Sequence, residues 1–97
     1  MDRNITLALL RAALPGLRDR YGIDRLFLFG SVARGEAQPG SDVDVLVEFR
    51  SAATLDAFMG LKEELERLLG TTVDLATPKA LRPALRALIA KDLLDVA

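Results

Sequence analysis

Residues 26–47 read LFLFGSVARGEAQPGSDVDVLV, and the way this stretch divides decides the fold. The apolar run Leu26 to Phe29 halts at Gly30-Ser31. Ten residues later the chain resumes as Asp42-Val43-Asp44-Val45-Leu46-Val47, a second apolar run with acids at its mouth. Two strands are therefore predicted to meet at one site. Successive side chains on a strand point to opposite faces. Asp42 and Asp44 then share one face, their Cα atoms about 6.5 Å apart, while Val43, Val45 and Val47 share the other.

Two carboxylates at that spacing repel and raise each other's pKa unless a cation lies between them. An oxygen-only site suits Mg²⁺, and paired ions in phosphoryl-transfer sites lie about 3.5–4 Å apart, so one or two magnesium ions are expected. Gly30 lets the backbone approach a ligand closely, and Ser31 offers a hydroxyl beside its own N–H. If Ser31-Val32-Ala33-Arg34 opens a short helix, its free N–H groups face the same mouth and favour an anionic phosphate. Alone, Gly-Ser is usually a turn and Asp-x-Asp usually a solvated loop or cap; their conjunction at this spacing carries the inference.

Working outward, Asn4 to Leu14 carries two apolar stripes at helical spacing: Ile5, Ala8, Leu9, Ala12 and Ala13, and Leu7, Leu10 and Leu14. Either both sides are buried, the preferred reading, or one lies against a partner. Pro15-Gly16 is expected to break or kink this helix, with a further turn through Leu17 to Tyr21 and a cap at Gly22. Ile23 to Phe29 reads as a covered central strand, Glu36 to Gly40 as a polar loop, and Asp42 to about Phe49 as the second strand. Glu36 either touches metal or, by preference, is a solvated loop acid. Thr54 caps a helix with apolar positions Leu55, Phe58, Leu61, Leu65, Leu68 and Leu69 that stops at Gly70.

Thr71 to Ala76 is a third strand with an acid, Asp74, in its middle. That acid either sits solvated at an edge or points at the Asp42/Asp44 site. A last helix starts near Arg82, with Leu85, Leu88 and Ile89 as its buried stripe, and Leu93, Leu94 and Val96 suggest a short final strand. Arg82 and Arg86, four apart, form an exposed stripe or bind a partner or phosphate. This order of elements is α/β (α+β): a small mixed sheet flanked by helices.

Composition narrows the chemistry. The 97 residues, 51% of them hydrophobic, suit one domain spanning 1–97. With no histidine and no cysteine, histidine general bases, thiol chemistry and most zinc sites are excluded. A net charge of −1 without a dense Lys/Arg run argues against a DNA or RNA groove. No stretch is long and apolar enough to span a membrane, and Met1-Asp2-Arg3-Asn4 lacks the start of a signal peptide, so cytoplasmic residence is expected.

The arrangement Gly30-Ser31, ten residues, Asp42-x-Asp44 resembles the signature of the nucleotidyltransferase superfamily related to DNA polymerase beta. More narrowly, FGSVARGEAQPGSDVDVLV, with Arg34, Gly35 and Ser41 at typical positions, is similar to the minimal nucleotidyltransferases of bacteria and archaea. The resemblance implies the nucleotidyltransferase fold and a third carboxylate on the next strand, where Val73-Asp74-Leu75 falls. It implies that Asp42, Asp44 and Asp74 bind metal and carry catalysis, with two Mg²⁺ ions. Gly30, Ser31, Arg34 and Ser41 would bind the nucleotide, ATP.

It further implies an antitoxin acting beside a HEPN-domain toxin, a ribonuclease, by adenylylating a tyrosine near the toxin's active site. An acceptor site has no room in so short a sequence, so the acceptor is expected to dock from outside, in a homo-oligomer or in a hetero-oligomer with the toxin. Two alternatives stand beside this reading: adenylylation of a small molecule, or a binding-only antitoxin with a vestigial nucleotide site. The second is weakened because Gly30, Ser31, Asp42, Asp44 and Asp74 are all present.

Overall fold

The computed structural model describes residues 2–97. Helix α1 spans Arg3–Tyr21, strand β1 Ile23–Phe29, helix α2 Gly30–Arg34, strand β2 Val43–Phe49 and helix α3 Leu55–Leu69. Strand β3 follows at Val73–Ala76, helix α4 at Pro83–Ile89 and the two-residue strand β4 at Leu94–Asp95; short 3₁₀ turns occupy Pro78–Ala80 and Ala90–Asp92. The four strands form one sheet in the order β3-β2-β1-β4. β1 is antiparallel to β2 and β4, whereas β2 and β3, joined through α3, are parallel. This is the mixed, helix-flanked sheet expected from the element order.

The pleat sorts the residues as the period of two requires. Val43, Val45 and Val47 are fully buried, and their register partners put Leu26 and Leu28 on the same face. Leu7, Leu10, Leu14 and Leu17 of α1 and Leu61, Leu65 and Leu69 of α3 join them in one core cluster. Both long helices therefore cover that face. The opposite face carries Phe27, Phe29, Asp44, Leu46 and, through the β2–β3 register, Asp74. Leu65 is wholly buried in the cluster, so Leu65→Ala is expected to cost about 2–5 kcal/mol, read as a lower urea midpoint at unchanged m-value.

Helix capping matches the sequence. The Asp2 carboxylate accepts from the Ile5 N–H at 3.0 Å, and the Thr54 hydroxyl from the Ala57 N–H at 3.1 Å. Gly60 inside α3 has a packing reason: a Cβ there would lie 3.1 Å from Cε1 of Tyr21, where α1 and α3 approach.

Several expectations are corrected. The break at Pro15-Gly16 does not occur; α1 is continuous through it. Proline removes one helical hydrogen bond, but Pro15 lies on the exposed side while Leu10, Leu14 and Leu17 are buried on the other, and that packing carries the helix across the gap. Only one of the two α1 stripes is buried: Ile5, Ala8 and Ala12 are exposed, since a helix lying on a sheet covers one side of its circumference. β2 starts at Val43 and β3 at Val73, one and two residues later than expected, and Leu55 is exposed at the first turn of α3. In α4 only Ile89 of the predicted stripe is buried; Leu85 and Leu88 are 43% and 66% exposed.

Candidate active site

The site is built where β1 ends and β2 and β3 begin. Phe29, the last residue of β1, pairs with Asp44 of β2, and Asp44 in turn pairs with Asp74 of β3. Paired residues on neighbouring strands, about 4.8 Å apart, point to the same face, so the register places the two carboxylates side by side. Asp42 stands exposed one residue before β2. Both readings open for Asp74 are met in part: β3 is an edge strand and the Asp74 side chain is exposed, while its register neighbour on β2 is Asp44.

Gly30 turns the chain from β1 into α2 with φ +75°, a left-handed conformation costly for any residue with a Cβ. It also makes room. A Cβ at this position would lie 2.1 Å from Oδ2 of Asp44 and 2.9 Å from its Cγ, so the carboxylate of Asp44 rests directly over the Gly30 backbone. The glycine and the acid, distant in sequence, form one unit.

Electrostatics single out Asp44. Its pKa is raised first by partial burial, then by the charge of Asp74, then by that of Asp42, with Arg34 opposing. The half-buried carboxylate thus lacks a positive neighbour sufficient to offset its like-charged ones. Among the described residues no group of three or more His, Cys, Asp or Glu side chains could hold a metal ion. The donor set of Asp42, Asp44 and Asp74 is all oxygen, the chemistry a hard divalent cation takes, but as placed the three do not form such a group.

Helix α2 is fastened at both sides of the mouth. Val32 and Ala33 are buried beneath it, and Arg3 Nη1 donates to the Ala33 carbonyl at 3.3 Å. Arg34 donates from Nη1 to Asp92 Oδ2 at 2.9 Å and from Nε to Glu36 Oε1 at 3.2 Å. Glu36, exposed as expected of a loop acid, is therefore engaged with Arg34. The Ser41 hydroxyl accepts from the Gln38 N–H at 3.1 Å and closes the turn that delivers Asp42 to the mouth. Ser31 lies half-buried in the first turn of α2, beside Gly30.

The model of the nucleotidyltransferase domain family matches residues 10–96. The chain belongs to the nucleotidyltransferase family. This nucleotidyltransferase is 38% identical to the protein adenylyltransferase MntA of Thermococcus cleftensis over 92% of its own length and 90% of that protein's. It also resembles a solved structure described as a minimal nucleotidyltransferase, with 42% identity, 97% and 95% of the two chains covered and a TM-score of 0.81. The same fold occurs in the complex of a tri-AMPylated HEPN toxin with its MNT antitoxin from Shewanella oneidensis, at 20% identity, 94% and 71% coverage and a TM-score of 0.68.

Sequence reasoning missed Asp92, which ties the chain's C-terminal segment to α2 through Arg34. Its one signal is position: after Asp74 it is the first acid in the sequence, following a long stretch without any. Among the described residues no helix of this nucleotidyltransferase is long and apolar enough to cross a membrane.

Proposed function

We propose that this nucleotidyltransferase transfers AMP from ATP to a tyrosine hydroxyl of a partner HEPN toxin and so acts as its antitoxin. The observation that carries the reading is the placement of Asp74 beside Asp44, with Asp44 seated over Gly30 at the start of α2. The relative named a protein adenylyltransferase supports AMP as the group moved, and the AMPylated toxin of the Shewanella complex supports the kind of acceptor.

Gly30 and Ser31 would receive the triphosphate, with Arg34 and Ser41 at the rim of its site. Asp42, Asp44 and Asp74 would hold Mg²⁺, which neutralises charge on the phosphates and on the oxygens exchanged in the displacement. The acceptor oxygen attacks the α-phosphorus in line, the bond from that phosphorus to the bridging oxygen breaks, and pyrophosphate leaves with the electron pair. Asp74, exposed toward the mouth, takes the proton of the acceptor hydroxyl. No protein nucleophile is required, which agrees with a chain without histidine or cysteine.

Position-specific labelling tests the reaction type. With Mg²⁺ and the proposed HEPN-domain partner, label on the α-phosphate of ATP is expected to appear in that protein, and label on the γ-phosphate only in pyrophosphate. Transfer of the γ label would contradict nucleotidyl transfer. Label in a small-molecule acceptor, with none in protein, would replace the toxin with a metabolite.

A further inference from the structure

The last helix leaves its apolar side open. Of α4 only Ile89 is buried, while Leu85 and Leu88, three apart and so on one side, are exposed. Around them the charge is one-sided: four of the chain's 13 basic residues and none of its 14 acidic ones fall between Lys79 and Lys91. The four ion pairs among the described residues involve none of Lys79, Arg82, Arg86 and Lys91. Two exposed leucines thus share a segment with four cations that enter none of these ion pairs, on a chain whose net charge is negative.

Its position matters for the site. α4 runs straight into the 3₁₀ turn Ala90–Asp92, and Asp92 is ion-paired with Arg34 at the end of α2. α4 is thereby joined, through Asp92, to the helix that begins at the mouth.

We propose that the exposed face of α4, Leu85 and Leu88 between Arg82 and Arg86, docks an acidic, leucine-studded surface of the acceptor protein and brings its hydroxyl to the acids. The proposal rests on the reading of a protein acceptor given above. Charge complementarity sets the partner's sign: unpaired arginines around desolvated leucines favour carboxylates set among apolar side chains. The alternative anion, single-stranded RNA, is held by stacking on aromatic side chains, and no aromatic residue occurs between Lys79 and Lys91.

The test titrates the full chain with the proposed HEPN-domain partner and measures, in parallel, binding of Mg²⁺-ATP and AMP transfer. Leu85→Asp/Leu88→Asp is expected to weaken the complex about 100-fold, because apolar anchors at an interface centre carry much of its affinity. Arg82→Glu/Arg86→Glu, which leaves the leucines in place, is expected to weaken it about 10-fold or more, and the parent complex to weaken as salt is raised. Both variants bind Mg²⁺-ATP as the parent does. Asp42→Asn/Asp44→Asn keeps the complex and loses transfer.

Undiminished binding by both surface variants would overturn the docking proposal, as would failure of the parent to bind the partner at all. So would tight binding of polyuridylate that the arginine variant abolishes. A complex that depends on α4 but transfers no AMP would leave the docking surface standing and refute the proposed reaction.

Discussion

Asp42→Asn/Asp44→Asn is expected to lower AMP transfer by about 10³-fold or more while the protein remains folded. The loss follows from charge. The register places Asp44 against Asp74, and Asp42 adds a third carboxylate at the mouth, so the variant keeps the shape but loses most of the anionic oxygen that a cation would occupy.

Stability moves the other way. The pKa of Asp44 is raised above its ordinary 3.8, with burial the largest cause and the charges of Asp74 and Asp42 next. A carboxyl whose folded pKa lies above its unfolded one favours the fold while protonated. That contribution is fully present below the unfolded value and is lost as pH rises through the raised one. At neutral pH, without metal, the ionised Asp44 is therefore a burden, and Asp44→Asn is expected to raise Tm. The gain should shrink as pH falls to the ordinary carboxylate range. Thermal scans across pH in the presence of a chelator check it, and a Tm lowered by Asp44→Asn at pH 7 would contradict the crowding of acids at this mouth.

Gly30→Ala is expected to separate activity from stability. At φ +75° an alanine costs about 1–2 kcal/mol of backbone strain. The Cβ would meet Oδ2 of Asp44 at 2.1 Å, and that atom ends a side chain able to rotate away. The fold therefore survives with a modest drop in Tm, whereas the carboxylate is driven from its seat, and a displacement of about 1 Å at a reacting centre can cost about 10²-fold in rate. Transfer reduced 10²-fold or more beside a small loss in urea midpoint supports the pairing of Gly30 with Asp44. Equal, mild effects on both would mean that Gly30 serves only the turn.

The parts of this molecule that were legible in the sequence are those fixed by short-range rules. The alternation in Val43-Asp44-Val45 puts Asp44 and the valines on opposite faces whatever the strand pairs with, and Val43, Val45 and Val47 are indeed fully buried; Asp42, outside β2, is not reached by that rule. Pro83 at the first position of α4 and the Thr54 cap on α3 are equally local, and both are found. Asp74 was ambiguous because an acid in a strand reads alike at a wet edge and at a site, and the structure keeps both features, an exposed side chain on the edge strand β3 in register with Asp44.

The leucines of α4 failed for a related reason. Spacing says that Leu85, Leu88 and Ile89 share a side of a helix, but not how much of that side the sheet can reach, and here it reaches Ile89 alone. Pro15 does not end α1, because buried leucines on either side of it hold the helix across the lost hydrogen bond. The Arg34–Asp92 pair joins residues 58 positions apart, and no local pattern announces a contact of that range.

The central claim, that the acids of this mouth move AMP onto a protein, is tested most directly by intact mass spectrometry of the proposed HEPN-domain partner. It is incubated with this chain, ATP and Mg²⁺, with Asp42→Asn/Asp44→Asn as the control. The account predicts that the partner gains mass in whole AMP units with the parent chain and none with the variant. An unchanged partner mass after complete complex formation, or equal gains with parent and variant, would contradict it.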